Sequence, residues 1–202
     1  MLYTLSQLKH ENLLRPEEIL SFEDSFYIIS EYTAISLEEV IVVRPNEVQL
    51  AAIIYQVCMP HLMENNLIHG SLKRANILLT TEGVVKIANL ENCSTNAAPE
   101  NQMIDTRAMG AIMIDLMGED SDIDESAGTS QRPKQPMGWS AEAIDFLALT
   151  TTASGDELAK HPFLKNAPDI HELVPLVGLA QVSACRFYNL TSSYMHPAPI
   201  PS

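Results

Sequence analysis

Residues 67–79 read LIHGSLKRANILL, a polar loop set between two apolar runs. The second run is followed by Thr81-Glu82-Gly83 and then by VVKIA, so ANILLT and VVKIA predict a compact β-hairpin around that turn. The loop before it carries His69, Ser71 and Lys73. Whether those side chains perform chemistry depends on the segments around them.

The composition predicts a globular protein inside the cell. Its 202 residues are 46% hydrophobic, which is enough to bury a sizeable core. Twelve basic against 26 acidic residues give a formal net charge of -14, which disfavours nucleic acid and anionic membranes as partners because both are themselves negative. No apolar run reaches the roughly 18 residues that span a bilayer, and the first residues have no basic n-region. We therefore expect a cytoplasmic location.

The cysteines give no sign of a disulfide framework or of a zinc site. Cys58, Cys93 and Cys185 are far apart, odd in number and outside any CxxC spacing. We expect buried or incidental thiols and no metal site.

The front of the chain predicts two strands and then helices. Glu18–Phe22 and Phe26–Tyr32 flank a short turn, and FYIIS is rich in β-branched and aromatic residues, which favours a hairpin. Ser36 is predicted to cap a short helix, and Asn46 with Gln49 forms a capping box that opens a longer one. Along that longer helix five apolar residues recur at helical spacing: Val48, Ala52, Tyr55, Met59 and Leu62.

The back of the chain predicts mostly helix. Residues 105–117 form the most apolar helical pattern, with Gly118 placed to stop it. The acidic and then Pro- and Gly-bearing stretch that follows predicts a mobile loop. Ser140 is predicted to cap SAEAIDFLALT, and Ser154 with Glu157 forms a capping box ahead of ELAKHPFL. The tail YMHPAPIPS is expected to be extended and poorly ordered.

The loop HGSLKRAN at residues 69–76 resembles the H-R-D-L-K-x-x-N catalytic loop of eukaryotic protein kinases. Further motifs of that family follow in the family's order over roughly residues 5–165. They are KHEN at 9–12, ISEY at 29–32 as the hinge, VKIANLE at 85–91 in place of V-K-I-A-D-F-G, APE at 98–100, the F-helix opening at 105–110, and HPFL at 161–164. The chain is therefore identified as a member of the protein kinase family. It is most similar to STE-group serine/threonine kinases, especially the branch activated by Rho-type GTPases.

The resemblance implies an α+β kinase-like fold in three parts. Residues 1–32 are expected to be a remnant of the kinase N-lobe, with the end of the C-helix, a two-strand hairpin and the hinge. Residues 33–175 are expected to form a mainly helical C-lobe, and residues 176–202 a C-terminal tail. The strand edge at Phe26, Tyr27, Ile28 and Ile29 is expected to be open, because the strand that pairs with it in the family is missing.

The departures from the family pattern fall on the catalytic positions. The family's catalytic-loop aspartate accepts the proton of the substrate hydroxyl, and this chain has Ser71 there. The aspartate that would hold magnesium is Asn89, whose amide carries no charge. The resemblance also places residue 1 inside the C-helix, so that the glycine-rich loop and the N-lobe lysine are expected to be missing. We therefore expect no catalytic residue, with Ser71 and Asn89 as degenerate positions.

Some family residues that contact a nucleotide are retained, and they would bind one if the chain binds one at all. They are Glu31 and Tyr32 in the hinge, Lys73 and Asn76 in the loop, Leu78 under the adenine, and Asn89. With few partners left, we expect Lys73 to be a solvated cation and Asn76 to tie the loop backbone together. We expect no cofactor, with weak binding of ATP or magnesium as the open alternative.

Other retained motifs are expected to hold the fold. His69 and Leu90 align with residues that pack in the family's internal spine, and a histidine without a carboxylate partner has no catalytic setting. The remaining structural positions belong to the A-P-E motif and to the start of the F-helix: Ala98, Pro99, Glu100, Asp105 and Gly110.

The resemblance and its departures predict a catalytically inactive kinase-like protein, a pseudokinase, that acts as a binding or regulatory module. The alternative is a serine/threonine kinase with residual activity or with a missing N-terminal part. The expected partner is a protein, such as an active kinase or its substrate, and the open strand edge also permits self-association.

Overall fold

Two small sheets lie towards the front of the chain, and helices make up most of the rest. The computed structural model describes residues 10–23, 25–58, 68–90, 93, 99–118, 138–165 and 169–192. The strands are β1 (Pro16–Phe22), β2 (Ser25–Ser30), β3 (Ile35–Ser36), β4 (Ile77–Leu79) and β5 (Val85–Ile87). The helices are α1 (Leu37–Val43), α2 (Glu47–Val57), α3 (Pro99–Met117), α4 (Ala141–Leu149), α5 (Gly155–Leu158), α6 (Pro162–Lys165) and α7 (Val174–Ser192), with 3-10 turns at Arg74–Asn76 and Ile170–Leu173. The expected α+β fold is confirmed.

Both predicted hairpins form, each with antiparallel pairing. In the first, β1 pairs with β2, with Leu20 opposite Tyr27, and a bulge interrupts the ladder between Pro16 and Glu18. In the second, β4 pairs with β5 and also with β3, which gives the order β3-β4-β5. The first hairpin differs from its predicted bounds by about two residues at its open end, where strand ends are set by tertiary context.

Side-chain caps begin the helices where the sequence predicts them. The Asn46 side chain accepts a hydrogen bond from Gln49 N at 2.9 Å, and Asn46 N donates to the Gln49 side chain at 3.1 Å. Ser36 and Ser154 also begin reciprocal capping boxes, and Ser140 Oγ accepts from Ala143 N at 3.1 Å. Each cap satisfies N–H groups that have no partner inside the helix, which stabilises the helix by about 1 kcal/mol.

The core-facing side of α2 is not the one that its periodic residues suggest. Val48 and Tyr55 are about half exposed, whereas Leu50, Ile53 and Ile54 are fully buried. Helix α2 contacts several other elements and is therefore apolar on most of its surface. A single apolar stripe at helical spacing consequently does not identify its buried face. Met59 and Leu62 lie outside the described residues.

Helix α3 begins earlier than the apolar pattern predicts. It runs from Pro99, so the second and third residues of the A-P-E motif form its first turn, where proline is well tolerated because the first N–H of a helix has no intrahelical acceptor. The helix ends before Gly118, as predicted, and Gly118 has a φ of 73°. Glycine adopts such a left-handed backbone at little cost because it has no Cβ.

Helix α7 crosses the predicted boundary at residue 175 and packs against α1. Leu176, Val177 and Ala180 are buried in the main core, so the beginning of the predicted tail belongs to the packed lobe. The predicted mobile loop at 119–137 and the end of the tail after residue 192 lie outside the described residues. None of the helices in the described ranges is long and apolar enough to cross a membrane.

Candidate functional site

Helix α3 fixes the backbone of the loop that follows residue 67. The Asp105 carboxylate accepts hydrogen bonds from His69 N at 2.7 Å and from Gly70 N at 2.9 Å, one on each oxygen. Hydrogen bonds to an ionised acceptor are among the stronger ones in proteins. Asp105 therefore holds the start of the loop through its main-chain N–H groups.

The His69 ring is buried and both its nitrogens bind backbone. Nε2 lies 2.8 Å from the Ala88 carbonyl oxygen, which can only accept, so Nε2 carries the proton. Nδ1 then accepts from Ser71 N at 3.2 Å. Neither nitrogen is left to transfer a proton to or from a substrate.

A chain of hydrogen bonds joins three residues that the resemblance places at the catalytic positions. Asn89 Nδ2 donates to Asn76 Oδ1 at 3.0 Å, and Asn76 Nδ2 donates to the Ser71 carbonyl oxygen at 2.8 Å. Asn89 has a φ of 62°, a left-handed conformation that asparagine tolerates better than most residues. The Asn76 side-chain oxygen thus already accepts an N–H from Asn89, the residue that the resemblance places at the family's magnesium-binding aspartate.

The basic residues of the loop differ in what they contact. Lys73 is exposed and forms no ion pair with any residue that the structure describes. Its neighbour Arg74 pairs with Asp115 of α3, with Nε 3.3 Å from Oδ2. The Asn76 backbone is held at both ends, since Asn76 N donates to the Lys73 carbonyl and Ala88 N donates to the Asn76 carbonyl.

An ion pair that the sequence analysis missed, between a buried lysine and a partly buried glutamate, joins the segment after β2 to β5. Lys86 Nζ lies 2.9 Å from Glu31 Oε2, and Arg15 N donates to Glu31 Oε1 at 3.2 Å. Burial alone would raise the pKa of Glu31, but the hydrogen bonds from Lys86 and Arg15 outweigh it and lower that pKa. A lysine inside the apolar strand VVKIA was the available signal, because a buried ammonium needs an acidic partner.

Two residues that the resemblance predicts to contact a nucleotide, Glu31 and Leu78, lie next to Lys86. Leu78 is half-buried on β4 and stands directly opposite Lys86, so the two side chains share one face of the sheet. The Glu31 carboxylate is bound to Lys86, whereas Tyr32 is exposed.

Leu90 packs between the segment that precedes β1 and the three-stranded sheet. It forms a buried cluster with Leu13 and Ile87, against which Leu72 and Cys93 pack.

A buried amide network connects the segment that precedes β1 to α2. Asn12 Nδ2 donates to Gln56 Oε1 at 3.0 Å and to the Val85 carbonyl at 2.8 Å. Gln56 Oε1 also accepts from Val85 N, and Gln56 Nε2 donates to the Gly83 carbonyl. The sequence analysis missed this network, because its members lie as much as 73 residues apart.

Gly110 allows α3 to approach the end of α4. A Cβ at this position would lie 3.0 Å from Thr150 Cβ and closer still to Thr150 Oγ1, which is tighter than real contacts permit. Of the A-P-E motif, Ala98 and the side chains of Pro99 and Glu100 lie outside the described residues.

The described ranges contain no group of three His, Cys, Asp or Glu side chains that could hold a metal ion. Cys58 is buried, Cys93 half-buried and Cys185 exposed, and no disulfide joins them. Burial raises the pKa of the Cys58 thiol far above its usual range, so Cys58 is not a nucleophile at neutral pH.

Comparison with known proteins gives the family. The family model described as protein tyrosine and serine/threonine kinase matches residues 2–115. The chain belongs to the protein kinase family. This confirms the resemblance that the loop and its neighbouring motifs indicated.

Similar proteins include serine/threonine kinases. The chain is 26% identical to the serine/threonine-protein kinase shk1/pak1 of Schizosaccharomyces pombe, over 83% of this chain and 32% of that protein. It is 31% identical to the serine/threonine-protein kinase TAO3 of Xenopus laevis, over 50% of this chain and 12% of that protein. It is 30% identical to cyclin-dependent kinase-like 2 of Pongo abelii, over 47% of this chain and 20% of that protein. The chain thus spans a third or less of the length of these relatives.

Proposed function

We propose that this chain is a kinase-fold protein without phosphotransfer activity, a pseudokinase, that acts in the cytoplasm as a binding or regulatory module. The supporting observation is the hydrogen bond from Asn89 Nδ2 to Asn76 Oδ1, beside a loop whose central residue is Ser71. A serine hydroxyl is not ionised at neutral pH and does not act as the base for a substrate hydroxyl. Losing a positioned base typically lowers the rate by about 10² to 10⁴.

The residues of this site do not fit a magnesium ion. Magnesium prefers oxygen ligands, above all carboxylates, and it supplies charge stabilisation to the phosphates when it is bound. Asn76 offers an oxygen that already accepts an N–H, and Asn89 points its NH₂ group at that oxygen. Loss of the base and loss of the metal site affect one catalytic unit, so their effects on the rate do not simply multiply.

A thermal-shift titration with ATP, with and without magnesium or manganese, tests this proposal. A ligand that binds only the folded state stabilises it by about 2.7 kcal/mol at 100 times its dissociation constant. We expect no metal-dependent shift for the natural chain and a metal-dependent shift for Asn89→Asp, which restores the carboxylate.

Asn46→Asp is the matched control for that variant. It makes the same change of charge at a helix cap that aspartate also fills, so it should leave the titration unchanged. A clear metal-dependent rise in the natural chain would overturn the proposal.

The alternative function, a serine/threonine kinase with residual activity, rests on the loop geometry that remains. Asp105 holds the loop backbone, and the Lys73 ammonium is exposed where it could meet a phosphate. Transfer of labelled phosphate from ATP to a protein substrate, abolished by Lys73→Ala, would establish this alternative.

We propose an active kinase or its protein substrate as the partner of the inactive module. In that role the chain occupies a surface of the partner without turning over nucleotide. Adding the chain to an active relative's phosphotransfer assay should change the rate, and an unchanged rate at saturating concentration would refute this part of the proposal.

A further inference from the structure

The first hairpin exposes apolar side chains on both of its faces. Phe26, Tyr27, Ile28 and Ile29 of β2 are each at least 44% exposed, and Ile19 of β1 is exposed opposite Ile28. An isolated two-stranded hairpin is marginally stable in water. Such a hairpin gains stability when another strand or layer covers it.

The two outer edges of this hairpin are not equivalent. The β1 edge carries three features that block strand addition in natural sheets: Pro16, the bulge between Pro16 and Glu18, and the adjacent charges of Glu17 and Glu18. Strand β2 reads SFYIIS and has no charge, proline, glycine or bulge. Of the two outer edges of this hairpin, only the β2 edge is therefore suited to pair with another strand.

The register identifies which groups on that edge are available. Two residues connect Phe22 to Ser25, and in such a hairpin the flanking pair exchanges hydrogen bonds and the pattern then alternates. The N–H and C=O groups of Phe26 and Ile28 consequently point away from β1. The amide of Tyr27 points towards β1.

We infer that a second copy of this chain pairs with β2 along this edge and forms a four-stranded sheet across a two-fold axis. An antiparallel pairing centred on Tyr27 joins the outward groups of Phe26 to those of Ile28 of the second copy. Within β2 no like charges oppose each other in this register, because that strand has none of the chain's excess acidic residues. The inference is independent of whether the chain transfers phosphate.

The exposed area sets the expected strength of the contact. The four exposed apolar side chains of β2, which border the new strand pair, present roughly 400 Å² at roughly 100 Å² each, against roughly 800 Å² per partner in a standard interface. Because that area is divided between two faces, one contact buries only part of it, so we expect weak association. The net charge of -14 opposes the approach of two copies, and added salt should therefore strengthen the dimer.

Sedimentation equilibrium over a wide concentration range, at low and at high salt, measures the association. We expect a monomer–dimer equilibrium, weakened at least about tenfold by Ile28→Lys, which places a charge on the pairing strand. Ile19→Lys is the matched control, because it changes the cross-strand neighbour on the same face but lies on the blocked strand. We expect it to weaken association much less.

Hydrogen exchange on the natural chain gives a second readout that needs no variant. The amides of Phe26 and Ile28 should exchange quickly at low concentration and become protected as the dimer forms, while that of Tyr27 is protected throughout.

Four results would overturn the inference: a chain that remains monomeric, equal effects of the two lysine variants, weakening of the dimer by salt, or protection of the two outward amides in the monomer. The last result would mean that the edge is covered from within the same molecule.

Discussion

Removing the acidic partner of the hinge ion pair should cost more stability than removing the basic one. At the observed 2.9 Å between Lys86 Nζ and Glu31 Oε2, two unit charges attract by about 6 kcal/mol at an effective dielectric constant of about 20. The cost of desolvating both groups offsets most of this attraction. The Lys86 side chain is 10% exposed and that of Glu31 is 28% exposed, so an unpaired Lys86 would be harder to solvate.

We therefore expect Glu31→Gln to lower the free energy of unfolding by about 2 to 3 kcal/mol, and Lys86→Met to lower it by about 1 kcal/mol. The double variant should be no less stable than Glu31→Gln alone, because methionine leaves no charge without a partner. Urea unfolding followed by circular dichroism measures all four proteins of this double-mutant cycle.

The same pair should make stability depend on pH in the acid range. The folded-state pKa of Glu31 is lowered, so its contribution to stability is present above the pKa of a free glutamate, about 4.3, and is lost as the pH falls through the folded-state value. Glu31→Gln should remove this part of the acid dependence. If Lys86→Met cost as much as Glu31→Gln, or if the two changes were additive, the assignment of a partly buried and coupled pair would be wrong.

Two further substitutions test contacts away from the hinge. Gly110→Ala should lower the free energy of unfolding by about 1 to 3 kcal/mol because the new methyl group meets Thr150. Thr150→Ala in the same chain should recover part of that loss. A melting temperature that Gly110→Ala leaves unchanged would contradict the close packing. Gln56→Leu should cost about 2 to 3 kcal/mol in urea unfolding, since it leaves buried groups of Asn12 and Val85 with fewer partners, whereas Tyr55→Leu on the exposed side should cost little. Equal effects at positions 55 and 56 would refute the network.

Local signals predicted the elements well. The caps at Ser36, Asn46 and Ser154 and the turn before Val85 depend on interactions within a few residues, so the sequence contains all that determines them. The buried side of α2 could not be obtained in the same way. It depends on which distant elements pack around the helix.

The site was predictable in its residue types but not in its contacts. The order of the family motifs brought out Ser71 and Asn89 as changed positions. The hydrogen bond between Asn89 and Asn76 and the ion pair between Lys86 and Glu31 join residues 13 and 55 positions apart. Contacts of this range depend on the folded arrangement of the strands, which short-range patterns do not determine.

The way in which Asp105 holds the loop separates the shape of the loop from its chemistry. Its two carboxylate oxygens bind main-chain N–H groups, which every residue except proline possesses. A change at position 71 leaves both of these hydrogen bonds in place, whereas position 70 has a φ of 69° and so favours glycine. By the same reasoning, an aspartate introduced at position 71 would enter a backbone already shaped to receive it, which makes this chain a suitable scaffold for rebuilding a catalytic loop one residue at a time.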